Sequence, residues 1–146
     1  MANQFLIKNT MQEMRNLSAI EIDGLKGNNP IYAGVELLGY YEKGDTPAPV
    51  IYYLVPTTSD PGSDDGGSII EVSGNKLHHI FNAELDLRYF GASSEKADNY
   101  TFIQNALNYI AANGGCSLGL PPDQILLISN KLLVTASTVI NGNGGT

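Results

Sequence analysis

The sequence predicts a mixed α and β chain. Two short helices and a small antiparallel sheet come first, and then a longer helix leads into short strands that turn corners like one coil of a solenoid. Three observations carry this. Capping signals recur near the start, β-prone runs alternate with Gly/Pro/Asp turns through the middle, and Asn/Gly/Pro corners separate the apolar runs of the last third. The 146 residues suffice for a core without disulfide or metal support.

Residues 3–8 read as an extended lead-in. Thr10 and Glu13 have capping-box spacing, and Met11, Met14 and Leu17 make one apolar face. Ser18 and Glu21 repeat the spacing and open a second helix over 19–26, which Gly27 and Asn28-Asn29-Pro30 end. The methionine stripe is read as core.

Four β runs follow: Val35–Tyr41, Val50–Val55, Ser68–Val72 and Leu77–Phe81. The segments between them, 43–49 and 58–67, are rich in Gly, Pro and Asp, which set turn geometry. The natural arrangement is an antiparallel sheet packed on the helices. Asp60, Asp64 and Asp65 on the second segment invite a calcium reading, since oxygen ligands suit a hard cation. Their spacing is not that of an EF-hand, and the plainer reading is an Asp-stabilised turn. His78 and His79 point to opposite faces of a strand, one half-buried and one exposed, and cannot share an ion there.

Glu84–Phe90 alternates acid and apolar residues and reads as a strand that Gly91 breaks. Asp98 sits at the N-cap of a helix over 100–113, with Phe102, Ile103, Ala106, Leu107, Ile110 and Ala111 on its apolar face and Gly114-Gly115 at its end. Short strands are expected at 116–120, 125–128, 132–134 and 138–140, with a Pro121-Pro122-Asp123 turn. Cys116 reads as a small buried hydrophobe. The break falls near residues 83–90, giving segments 1–84 and 85–146. No 20–50-residue repeat is visible, although the last segment could be the first unit of one.

Charge narrows the function. The net charge is −7 and the pI about 4.6. Nucleic-acid binding needs a basic face, so no nucleic-acid partner is expected. No run nears the roughly 18 apolar residues of a membrane span, and the first residues lack a secretory pattern. One cysteine excludes an internal disulfide framework. After Asp98 the only charged side chains are Asp123 and Lys131. A glycosidase needs two carboxylates, so no catalytic residue, metal or cofactor is assigned. Tyr40, Tyr41, Tyr52 and Tyr53 offer a carbohydrate-stacking reading, against cross-strand core packing.

The chain also resembles known families. Phe90-Gly91-Ala92, Asp98-Asn99, Ile103-Gln104-Asn105-Ala106-Leu107, Gly114-Gly115, Leu120-Pro121, Ile128-Ser129, Leu132 and Val139-Ile140-Asn141-Gly142-Asn143-Gly144 come in the order that opens the pectate-lyase-like right-handed parallel β-helix family. Ser93-Ser94-Glu95-Lys96 and Asn99 depart from that pattern. Met14-Arg15-Asn16-Leu17, Val35–Tyr41, Gly44-Asp45 with Ile51-Tyr52-Tyr53, and Ser59 through Ile70 resemble the module that precedes such β-helices in bacteriophage tail spikes and tail fibres. Thr46-Pro47-Ala48-Pro49 stands where that module has a glycine run, and Tyr53 where it has Trp.

The resemblance implies a homotrimeric tail appendage in the virion. Its first 84 residues would be an attachment module, and residues 85–146 a helical cap with the first β-helix coil. Its partners would be copies of itself, other tail proteins, and host-surface polysaccharide bound through later coils. The alternatives are a polysaccharide lyase or glycoside hydrolase fragment with its active site on later coils, a carbohydrate-binding module, and a secreted or cell-surface bacterial protein.

Overall fold

A computed structural model describes residues 4–82, 84–115 and 117–142. The chain forms two compact units, Met1–Asp64 with Ile69–His79, and Asp65–Ser68 with Ile80–Thr146. Cys116, Asn143 and Gly144 lie outside the described residues.

The first unit holds β1 (Gln4–Lys8), α1 (Met11–Arg15), α2 (Ala19–Gly24), β2 (Tyr32–Leu37), β3 (Val50–Leu54), β4 (Ile69–Val72) and β5 (Asn75–His78). Both expected helix starts are present. The Thr10 and Ser18 side chains accept from the Glu13 and Glu21 N–H groups. Glu21 returns the bond to Ser18 N–H and closes the box, whereas Glu13 reaches one residue further back, to Asn9 N–H at 2.6 Å.

The sheet order is β1-β2-β3-β5-β4. The four expected runs pair antiparallel, and β1, expected only as an extended lead-in, joins them by pairing with β2 in parallel. The crossover through α1 and α2 gives the chain the length to return in the same direction. Alternation then sorts the side chains. Leu6, Val35, Tyr52, Leu77 and Ile70 are buried. The register Phe5–Gly34 and Tyr53–His78–Ile69 carries the opposite face. Two strands are displaced from their expected bounds. Tyr40 and Tyr41 leave β2 for a turn, and β5 ends at His78, short of Phe81.

The second unit holds β6 (Leu85–Asp86), α3 (Tyr100–Ala112), β7 (Ser117–Gly119) and β8 (Val139–Asn141). The expected strand over 84–90 is only β6, followed by a 3-10 turn over Leu87–Phe90. Asp86 explains the change. Its carboxylate accepts from Arg88 N–H and pairs with the Arg88 guanidinium, which bends the backbone out of the strand. Gly91, at φ 94°, ends the turn.

The strands run β6-β7-β8, all parallel. Leu85 aligns with Leu118 and Leu118 with Ile140. The core joins Leu85, Leu87, Phe90 and Leu118 to Ile103, Ala106, Leu107 and Ile110 of α3. Phe81, Phe90 and Tyr109 stack around it, with Phe81 N–H donating to the Tyr109 hydroxyl at 2.9 Å. The runs 125–128 and 132–134, expected as strands, have no strand partner among the described residues and are not strands. No described helix is long and apolar enough to cross a membrane.

Candidate functional site

The acidic loop holds the three aspartates that the sequence offers as an ion or turn site. Asp60 accepts from Gly62 N–H at 3.0 Å and from Lys76 Nζ at 3.1 Å, which together hold its carboxyl below the usual range. Asp64 takes both prongs of the Arg15 guanidinium, at 2.6 and 3.0 Å, and the N–H of Glu71 at 2.8 Å. Asp65 accepts from Gly67 and Ser68 N–H and from the Ser68 hydroxyl. Each carboxylate thus serves its own turn or ion pair. Among the described residues no group of three or more His, Cys, Asp or Glu side chains is placed to hold a metal.

The tyrosines are also separated. Tyr52 is buried in the sheet core, and Tyr53 is exposed with its ring against Gly34. Tyr40 and Tyr41 sit in a turn around Asp45, whose carboxylate accepts from the N–H groups of Tyr40, Tyr41 and Glu42 at 2.6, 2.8 and 3.1 Å. Their rings pack edge to face, and burial, with Asp45 adding its charge, pushes the Tyr41 phenol up to about 12. His78 and His79 are both half-buried, which corrects the expectation that one is exposed. His79 Nδ1 lies 2.8 Å from the Ile51 carbonyl oxygen, and burial lowers its pKa.

The feature that stands out is the run from Pro121 to Asn141. Backbone outside helices and sheets needs partners for its N–H and C=O groups, and here side chains of α3 and of the two residues before it supply them. Asp98 accepts from the Ser129 hydroxyl at 2.6 Å, from Ser129 N–H at 3.0 Å and from Tyr100 N–H at 2.9 Å. Asn99, fully buried, accepts from Ser93 N–H and donates to the Ser93 and Leu127 carbonyls, while its own N–H also donates to Leu127. Gln104 accepts from Leu133 N–H and donates to Leu133 C=O, at 2.9 and 3.0 Å. The N-cap residue is therefore Asn99, with Asp98 capping from one position earlier. Sequence pattern alone does not mark Asn99 or Gln104 as holding residues. The amide inside Ile103-Gln104-Asn105, next to apolar helix positions, was the signal available.

Leu126 and Leu132 pack on the core beneath this run. With Ile103, Leu120, Pro121, Gln124 and Ile128 they line a half-open apolar cleft of about 250 Å³. At the far end β8 pairs on one side only among the described residues, with β7. Glu84 ties it back. Its carboxylate accepts from Asn141 Nδ2 at 2.9 Å and lies so close over Gly119 that a Cβ there would meet it at 2.5 Å. The aligned row Leu85, Leu118, Ile140 is 0, 2 and 57% exposed, so each rung covers the one before and the last is bare.

Comparison with known proteins finds its matches among solved structures. No protein-family model matches the chain, and no curated protein does. Pantoea stewartii WceF, described as a glycan biofilm modifying enzyme with a bacteriophage tailspike-like parallel β-helix fold, is 14% identical with a TM-score of 0.55 over 81% of this chain and 16% of its own. The tailspike of Acinetobacter baumannii phage AM24 is 20% identical over 76% of this chain and 16% of its own, with a TM-score of 0.49. Tailspike protein 2 of Escherichia coli O157:H7 bacteriophage CAB120 is 15% identical over 78% and 13%, with a TM-score of 0.49. The structural neighbours are phage tailspikes and a tailspike-like enzyme. The chain spans about a sixth of their length or less. At this identity the likeness to WceF is one of fold.

Proposed function

We propose that this chain is the structural N-terminal part of a homotrimeric phage tail spike or tail fibre. Residues 1–84 join it to other virion tail proteins. Residues 85–146 form the helical cap and first coil of a right-handed parallel β-helix that binds or degrades host-surface polysaccharide on later coils. The observation that carries the reading is the parallel row Leu85–Leu118–Ile140, buried at its first two rungs and bare at the third. A parallel edge strand with an uncovered apolar rung is a place where pairing continues. The fold likeness to WceF supports the same reading.

A second reading keeps the architecture and changes the owner. The chain would be the leading part of a secreted or cell-surface bacterial polysaccharide lyase or hydrolase. The description of WceF as a glycan-modifying enzyme favours keeping it in view. In both readings residues 99–142 supply a single carboxylate side chain, Asp123, and catalysis belongs to later coils.

The test is the denatured mass of the gene product from its natural source. A mass several times 15.6 kDa is the expected result. A mass near 15.6 kDa, or depolymerisation of a polysaccharide by residues 1–146 alone, would overturn the proposal.

A further inference from the structure

The first sheet ends in two edges, β1 and β4, and they are finished differently. At β4 the outward N–H of Glu71 donates to Asp64, which also holds the Arg15 guanidinium. At β1 the direction of the backbone groups is fixed by Leu38, whose N–H donates to the Lys8 carbonyl at 2.9 Å. Lys8 therefore faces β2, and so does Leu6, two residues earlier. The N–H and C=O groups of Phe5 and Ile7 point the other way, and among the described residues nothing bonds to them. Asn9, the next outward residue, donates its N–H to Glu13. Beside this edge lies an open groove of about 470 Å³ between β1 and α1. Ile7, 60% exposed, lines it from the strand, and the exposed Gln12 and Asn16, one helical turn apart, line it from α1 and its C-cap.

Resting on the trimeric tail-appendage reading above, we infer that the β1 edge takes up an extended strand of another tail protein, laid in the groove between β1 and α1. A row of outward N–H and C=O groups is complemented by the backbone of one more strand. On the far wall Gln12, Glu13 and Asn16 offer no large apolar group, so the side chains that the added strand turns toward α1 are polar or small. Symmetry argues against a second copy as the occupant. Pairing β1 with β1 is a two-fold contact, which a three-fold assembly does not contain. Pairing β1 with a different edge needs one that is open, and in this sheet Asp64 closes β4. The edge of β8 is the one on which later coils stack in the same reading.

The experiment carries variants of this chain into the natural phage particle and measures copies per particle against the parent. Ile7→Pro removes an outward N–H and leaves the ladder to β2 intact, as proline on an edge strand does. Its content is expected to fall about tenfold or more, whereas Ile7→Ala, which keeps the N–H, falls much less. Circular dichroism of the 146-residue variants checks that the fold is kept. Should Ile7→Pro fail to fold, p-benzoylphenylalanine in place of Gln12 decides, and a crosslink in the particle to an extended segment of another tail protein is expected. Crosslinks confined to copies of this chain, or none, overturn the inference. So does an Ile7→Pro content equal to the parent's. Equal losses in Ile7→Pro and Ile7→Ala also overturn it, because a side chain then carries the contact. A parent chain absent from the particle fails differently, by overturning the tail-appendage reading itself.

Discussion

The Asp98 carboxylate grips Ser129 twice, taking its hydroxyl at 2.6 Å and its N–H at 3.0 Å. Ser129 is the largest cause of a carboxyl pKa below the ordinary value, and the Tyr100 N–H lowers it further. A group whose pKa is lowered on folding stabilises the fold above its unfolded pKa, near 3.9. That contribution is lost as pH falls through the folded value. Glu21, held low by Lys8 and Ser18, acts in the same direction. The Tm of the parent should therefore fall more steeply with acid below about pH 4 than that of Asp98→Asn, with the two differing most at neutral pH. Parallel melting curves at every pH would refute this.

The buried Asn99 amide makes a sharper prediction. Removing it in Asn99→Ala leaves the Ser93 N–H and C=O without their side-chain partner, and each buried unpaired group costs about 1–3 kcal/mol. Urea unfolding should lose about 3 kcal/mol with an unchanged slope. Asn99→Asp, nearly the same shape, should also destabilise, because a carboxylate cannot donate to the Ser93 and Leu127 carbonyls. Stability at the parent's level in Asn99→Asp would show that the donor side is unimportant.

Gly67 lies against the face of Phe90, where an added Cβ would meet ring atoms at 2.6 Å. Phe90 is fully buried and cannot swing into solvent. Gly67→Ala should cost about 1–3 kcal/mol and shift the Phe90 ring resonances. Unmoved resonances would mean that the backbone yields in place of the ring.

Arg15 and Asp64 form a two-pronged pair between α1 and the acidic loop, at 37 and 26% side-chain exposure. The hydrogen bond that Arg15 donates to Asp64 raises the Arg15 pKa. Solvent screening limits its worth, and a double-mutant cycle should give a coupling of about 1 kcal/mol. Arg15→Lys should recover less than half of it, since an ammonium lacks the planar fork. Full recovery with Lys would reduce the pair to simple charge attraction.

Local chemistry was legible in the sequence wherever a side chain bonds to its own neighbourhood. The Thr10 and Ser18 caps, the Gly91 stop, the Pro121-Pro122-Asp123 turn and the helix over 100–112 all follow from short-range patterns. What depended on distant partners was not legible. The parallel pairing of β1 with β2 is set by tertiary closure, and alternation is the same in either direction. The runs 125–128 and 132–134 have strand composition, but they meet side chains from Asp98 and Asn99 before α3 and from Gln104 within it in place of a second strand. Glu84–Phe90 alternates convincingly, yet Asp86 and Arg88 fold it into a turn. Asp60, Asp64 and Asp65 are close in sequence, and each is satisfied by a different cation or turn.

The side-chain grips of α3 also bear on when this part of the molecule takes shape. Every bond from Asp98, Asn99 and Gln104 to the later run spans 28 to 31 residues. A ribosome makes the N-terminal side first, so the helix residues are joined before the run they hold. Helices form in well under a millisecond, far faster than residues are added. The gripping side chains are thus already in the chain when Leu127, Ser129 and Leu133 are added.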